Sequence, residues 1–131
     1  MTGALITRLV VHFDIGATSQ NRRQHWSKLG AANRKAKRAA WEAWILAGQP
    51  RADGPVDVRL ISCRSRTMDE GNFVGACKGV VDGLFTGCIT PDDAPEWVRF
   101  LPVEQRPHKS HRHDPTVIVE VFERISNAAP C

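Results

Sequence analysis

Alternating apolar and polar residues predict four β-strands, because successive side chains of a strand point to opposite faces of a sheet. In the first stretch Leu9 and Val11 share one face, and Ile6 and Val10 are apolar on the other. We therefore expect this strand to be covered on both sides. The predicted strands span residues 4–14, 56–62, 97–103 and 116–125.

Two stretches between these strands have the properties of helices. Residues 27–46 lack proline and are rich in Ala, Lys and Arg, and Gly48 and Pro50 follow them. Residues 72–85 place their apolar side chains on one stripe at helical spacing. The order β-α-β-α-β-β predicts a single α+β domain over residues 1–131, in which helices cover a small mixed β-sheet.

Glycines recur every four residues along the second predicted helix, at positions that share one ridge. An interior glycine costs a helix about 0.8 to 1 kcal/mol relative to alanine. The row therefore indicates a bare backbone that packs against a helix, a strand or a partner subunit, unless the repeat is chance in a glycine-rich stretch. Its members are Gly71, Gly75, Gly79, Gly83 and Gly87.

Composition narrows the class of protein. The chain has 131 residues and a net charge of +4, with 42% apolar and 24% charged residues, as in globular domains. It lacks both the apolar run of roughly 20 residues that a membrane span needs and the pattern of a signal peptide. Its four cysteines have no C-x-x-C spacing, which argues against a zinc knuckle. We expect a cytoplasmic protein without disulfides.

The charges are distributed unevenly along the chain. Residues 20–40 contain seven basic and no acidic side chains, whereas residues 69–104 contain seven acidic and two basic ones. A basic arm attracts nucleic acid, and an acidic centre repels it unless cations bind there. The asymmetry is that of a protein that binds a phosphate backbone and holds a divalent metal against it. A solvated helix followed by an acidic surface loop is the alternative.

Acidic residues on either side of the second predicted helix are candidate ligands for Mg²⁺ or Mn²⁺, which prefer carboxylate oxygens. Asp93 can return to Asp69 only if residues 86–93 run back along the helix; otherwise the two carboxylates meet across a dimer. Lys78 and Asp82 are an i,i+4 pair, so Asp82 can orient the Lys78 ammonium toward a phosphate. Helix capping by Asp69 or Asn72 and a turn at 92–93 are the structural alternatives.

The order of these residues resembles the RusA-type family of Holliday junction resolvases. The motif reads Asp69-Glu-Gly-Asn72, then Lys78, then Asp82-Gly-Leu84, then Asp92-Asp93. Residues 19–26 are similar to the family's Asn-containing loop, and residues 113–120 to its final strand. The resemblance implies a RusA-like fold and a bacterial or phage-encoded, Mg²⁺-dependent endonuclease, with Mn²⁺ as a second usable ion. Such an enzyme resolves four-way DNA junctions in recombination and repair.

The resemblance also implies roles for particular side chains. Gly71 stands where the family has the second Asp of its motif, and Glu70 is the only nearby substitute. This departure favours an alternative, a catalytically impaired protein of the same fold that binds branched DNA; a phage structural or adaptor protein is a third possibility. The implied catalytic residues are Asp69, Lys78 and Asp93, the metal ligands are Asp69, Glu70 and Asp93, and the supporting residues are Asn72, Asp82 and Asp92.

Branched DNA is the expected partner, and a homodimer is expected because a junction must be cut on two strands symmetrically. The glycine row or the adjacent sheet is the predicted dimer interface. His108, His111 and His113 are close enough to suggest zinc, but a basic loop that touches phosphate is the preferred interpretation. The predicted DNA-binding residues are Asn21, Arg22, Arg23, His25, Lys28, Arg34, Lys35, Arg38 and Lys109.

Overall fold

The computed structural model describes residues 2–18 and 26–125. Within them the chain forms a mixed α+β domain with a five-stranded sheet and three α-helices. None of the described helices is long and apolar enough to cross a membrane. The elements are β1 (Leu5–Val11), α1 (Trp26–Leu46), β2 (Val56–Cys63), α2 (Glu70–Ala76), α3 (Lys78–Phe85), β3 (Val98–Phe100), β4 (Glu104–Gln105) and β5 (Thr116–Glu123).

The sheet has the strand order β1-β5-β2-β3, and β4 pairs with β2 beyond the end of β3. β5 pairs antiparallel with both β1 and β2, whereas β3 and β4 run parallel to β2. β2 is therefore bordered on both sides, and seven of its eight residues are buried. Its end leads directly to the acidic segment that begins α2.

The helices cover one face of the sheet, where Leu9, Val58 and Val119 belong to the main hydrophobic core. Arg59 lies on the other face and pairs with Glu120 at 3.4 Å. Val10, on that same side of β1, is 43% exposed. The prediction that β1 is covered on both sides is therefore wrong at Val10.

A buried carboxylate ties β3 to the sheet. Asp57 is 1% exposed and accepts hydrogen bonds from Arg99 Nε at 2.8 Å and Arg99 Nη2 at 2.9 Å. These hydrogen bonds raise the pKa of the Arg99 guanidinium above its ordinary value. Arg124 Nε lies 3.5 Å from the same carboxylate, at an ion-pair distance without hydrogen-bond geometry. Arg124 also donates to the Pro95 carbonyl at 3.2 Å. The cluster therefore holds the chain at Pro95, before β3 begins, and at Arg99, within β3.

The glycine row is explained in part by helix packing within the chain. A Cβ atom at Gly79 would lie 2.8 Å from Ala36 Cβ and 2.8 Å from the Asn33 carbonyl oxygen. A Cβ at Gly83 would lie 3.0 Å from Ala40 Cβ. These two glycines therefore let α3 pack closely and in parallel against α1, which is the first of the three predicted options.

The elements differ from the predicted order in two places. The second predicted helix begins at Glu70 and is divided at Cys77 into α2 and α3. The buried Thr18 hydroxyl donates to the Ala76 carbonyl at 2.6 Å and so satisfies a carbonyl at the end of α2. The predicted strand 97–103 forms only at β3, Val98–Phe100, and a second short strand that was not predicted, β4, follows beyond its end. Pro102, which has no N–H to donate to a sheet, lies between the two.

We expect Gly79→Ala to lower the free energy of unfolding by about 1 to 3 kcal/mol, because the added methyl overpacks the α1–α3 contact. Gly71→Ala is the matched control in α2, since a Cβ there meets only Asp69 Oδ2, at 3.5 Å. The control should be neutral or slightly stabilising. Urea denaturation followed by circular dichroism measures both, and equal stability of the two variants would contradict the packing explanation.

Candidate functional site

A groove of about 820 Å³ lies between the α2–α3 wall and the edge segment 100–103. Four charged side chains from three separate parts of the chain line it. They are Glu70 at the start of α2, Lys78 and Asp82 of α3, and Asp93 of the segment that follows α3. The acids on either side of the α2–α3 pair thus share one groove within one chain.

Asp93 reaches the groove because the chain reverses after α3. Gly87 has φ of 111°, a left-handed conformation that favours glycine, and its N–H donates to the Thr90 carbonyl at 2.8 Å. Ile89 is buried and its N–H donates to the Leu84 carbonyl at 2.8 Å, which holds the returning segment against α3. The return within one chain therefore depends on a turn as well as on sufficient chain length.

Lys78 and Asp82 form the expected i,i+4 contact, with Lys78 Nζ 3.3 Å from Asp82 Oδ2. The Lys78 side chain is 69% exposed and that of Asp82 34% exposed. A pair this accessible contributes only a few tenths of a kcal/mol to helix stability, at about 0.2 to 0.5. Its more useful property is that the ammonium is oriented and still open to an anion entering the groove.

Asp69 is exposed and occupies the N-cap position of α2, but its side chain makes no capping hydrogen bond. Its carbonyl accepts the N–H groups of Asn72 and Phe73, both at 3.0 Å. Neither Asp69 nor Asn72 lines the groove, although Asp69 borders it at Gly71. Of the motif's first four residues, Glu70 and Gly71 are therefore the two that contact the groove.

The groove offers a metal ion few protein ligands, so that most of its coordination positions would be left to water or substrate. Within residues 2–18 and 26–125, no group of three or more His, Cys, Asp or Glu side chains is placed to hold a metal ion. Of the three predicted metal ligands, Glu70 and Asp93 line the groove, whereas Asp69 borders it at Gly71. Mg²⁺ commonly takes only one or two carboxylates and completes its shell with water and substrate phosphate. Glu70 and Asp93 fit that mode of binding.

Gln105 holds the segment that enters α2, a role that the sequence did not reveal. Its side-chain amide accepts from the Met68 N–H and donates to the Met68 carbonyl, both at 2.6 Å. Met68 immediately precedes Asp69, so this double hydrogen bond fixes the start of the acidic motif. Only the pairing of β4 with β2 brings the two residues together, and the local pattern around Gln105 is that of an ordinary polar loop.

Two other groups beside the groove have different roles. The Asp92 carboxylate accepts the Ala94 N–H at 3.1 Å, the hydrogen bond expected of the turn that the sequence offered as an alternative. Burial raises the pKa of the Cys77 thiol to about 12, so that the sulfur stays protonated at neutral pH. Cys77 belongs to the main hydrophobic core and does not line the groove.

The predicted DNA-binding residues are only partly described. Arg34, Lys35 and Arg38 are exposed on α1. Lys109 lines a small basic recess of about 220 Å³ with Ser65, Arg66 and Arg112. Near it His108 Nδ1 lies 2.7 Å from the Ser110 hydroxyl, and none of the described histidines belongs to a three-ligand metal group. Asn21, Arg22, Arg23, His25 and the side chain of Lys28 lie outside the described residues.

Comparisons of the chain with protein-family models, with curated proteins and with solved structures found no match. The functional assignment therefore depends on the groove and on the motif that lines it.

We expect Gln105→Ala to lower the free energy of unfolding by about 1 to 3 kcal/mol, because it removes two hydrogen bonds, each with a typical net value of about 0.5 to 1.5. In Gln105→Ala the Met68 amide should exchange with solvent faster than in the wild type. Gln105→Glu keeps an acceptor for that N–H, so its stability and its exchange rate should lie between those of the wild type and Gln105→Ala. Hydrogen exchange by NMR and urea denaturation measure these effects. A loss no larger than that of the exposed-site control Glu96→Ala would contradict the clamp.

Proposed function

We propose that this protein is a metal-dependent, structure-specific DNA endonuclease of the RusA type, which resolves four-way junctions by phosphodiester hydrolysis. The observation that supports this most is the meeting of Glu70, Lys78, Asp82 and Asp93 in one groove. A cleft with carboxylates and a lysine is suited to an anionic substrate only if a cation accompanies that substrate. The RusA-like fold is part of the same proposal.

Each charged side chain of the groove has a distinct role in this reaction. Mg²⁺ or Mn²⁺ held by Glu70 and Asp93, with Asp69 beside them, would supply an activated water and neutralise phosphoryl charge. Lys78 binds a non-bridging oxygen of the scissile phosphate and stabilises the negative charge that develops on it. Asp82 keeps the ammonium in place through the 3.3 Å contact.

The remaining basic surface would bind the arms of the junction through phosphate contacts, which position DNA without reading its sequence. The exposed residues Arg34, Lys35 and Arg38 of α1 and the recess around Lys109 are suited to this role. A homodimer would present two grooves to the two strands that must be cut. Because α1 of the same chain covers Gly79 and Gly83, the adjacent sheet is the better of the two interfaces considered.

A non-cleaving protein that binds branched DNA is the second candidate, and Gly71 is the observation that favours it. Incubation of an end-labelled synthetic four-way junction with Mg²⁺, with Mn²⁺ or with EDTA separates the two. The endonuclease nicks two opposite strands in either metal and none in EDTA. Binding in EDTA without nicking at any metal concentration would establish the second candidate instead.

Asp93→Asn should reduce the cleavage rate by more than roughly 10- to 100-fold, which is the loss typical when a residue that only hydrogen-bonds to a metal ligand is changed. Junction binding in EDTA should be unchanged or tighter, since a negative charge facing the phosphates is removed. Glu96→Gln, which neutralises an exposed carboxylate three residues further along, is the matched control and should cut normally. Cleavage by Asp93→Asn at the wild-type rate would exclude Asp93 from the mechanism.

Gly71→Asp should raise metal affinity, because it adds a carboxylate beside Asp69 in a position that has room for a side chain. We expect half-maximal cleavage at an Mg²⁺ concentration about ten-fold lower than for the wild type, since changes around a metal site typically alter metal affinity by about this factor or more. The melting temperature should also rise more on addition of Mn²⁺ than it does for the wild type. Gly71→Asn has the same shape without the charge, and identical metal responses of the two variants would refute the prediction.

A further inference from the structure

The groove has a second wall with a different chemistry. The edge segment that faces the charged groups is apolar and includes Phe100, which is 44% exposed; Val74, which lies on the charged wall itself, is 62% exposed. Exposed apolar surface that lies next to polar groups in a concave site commonly marks a ligand-binding surface. The other apolar residues of the groove are Leu60, Val81, Leu101, Pro102 and Val103.

We infer that this apolar wall binds an unpaired nucleobase of the strand whose phosphate lies against Lys78. The groove would then take one nucleotide as a unit, with the base on Phe100 and Val74 and the phosphate at the charged wall. This inference rests on the proposed function, because it names the part of the DNA that the same groove recognises.

The spacing along α2 and α3 places the two chemistries side by side. Glu70, Val74, Lys78 and Asp82 follow one another at four-residue intervals, and all four line the groove. An apolar contact thus lies between an acid and a lysine on the same wall. A nucleotide has the same arrangement, since its flat base is joined through one sugar to an anionic phosphate.

Phe100 is held firmly enough to act as a stacking platform. It pairs with Val58 in the parallel β2–β3 ladder, and the Leu101 N–H donates to the Val58 carbonyl at 2.8 Å. The preceding residue, Arg99, is fixed by two hydrogen bonds to Asp57. A ring held by the sheet loses little freedom when a base stacks on it.

The charged wall argues against a purely apolar occupant. A lipid chain or an apolar peptide in this groove would take the Lys78–Asp82 pair out of water and would leave the Glu70 carboxylate without a partner, which is costly. When a nucleobase binds the apolar surface, the charged wall remains free to bind the phosphate of the same nucleotide and the cation that accompanies it. Bases that are already unpaired or next to a branch point cost the least to unstack, which matches a branched substrate.

The test compares two four-way junctions in Ca²⁺, a hard cation that can accompany the phosphate into the groove, one junction with all its bases and one with tetrahydrofuran abasic residues beside the branch point. The wild-type protein should bind the complete junction about ten-fold or more tightly than the abasic one, as expected for stacking on an aromatic ring. Phe100→Ala should lose this difference and Phe100→Trp should keep it. Leu46→Ala, an apolar truncation on α1 at a residue that is 88% exposed, is the control and should behave as the wild type.

Equal affinity of the wild type for the two junctions would overturn the inference, whatever the variants do. So would a change from dimer to monomer in Phe100→Ala by analytical ultracentrifugation, since a second copy of the chain would then occupy the groove. Base-dependent binding without cleavage in Mg²⁺ or Mn²⁺ would support this inference and refute the endonuclease. Cleavage without base dependence would do the reverse, and a lack of junction binding would refute both.

Discussion

Gly79 and Gly83 allow the backbones of α1 and α3 to approach more closely than any pair of side chains would permit. Lys78 and Asp82 each lie about 100° around α3 from the glycine that follows them, so that when the glycine face packs on α1 the two charged residues line the groove. The cost of glycine in a helix is thus offset by a contact that fixes the orientation of the charged wall.

The two walls of the groove are held by different kinds of interaction. Helix packing and the Gln105 clamp on Met68 position the charged wall, whereas the Asp57 ion cluster and the β2–β3 ladder position the apolar wall. The Gln105 clamp also links the two walls, because Gln105 directly follows the edge segment and holds Met68 at the entry to α2.

Local pattern predicted much of this structure, and tertiary contacts account for what it missed. Residues 56–62 and 27–46 form a strand and a helix close to their predicted bounds because alternation and helix-forming composition are local properties. The Lys78–Asp82 contact follows directly from four-residue spacing. The break at Cys77 and the Gln105 clamp do not, because they arise where Thr18 and Met68 meet residues far away in sequence. The convergence of Asp93 with Glu70 was allowed by chain length but not required by it.

The burial of Asp57 and Arg124 makes their contact less sensitive to ionic strength than the exposed cations of α1 are. Salt screens exposed charges over about 8 Å at 0.15 M and acts much less on pairs removed from water. Arg34, Lys35 and Arg38 are exposed, whereas the Asp57 and Arg124 side chains are 1% and 8% exposed and that of Arg99 is 52% exposed. Concentrated salt should therefore screen the cations of α1 more strongly than the contact between Asp57 and Arg124, with the Asp57–Arg99 pair between these two cases.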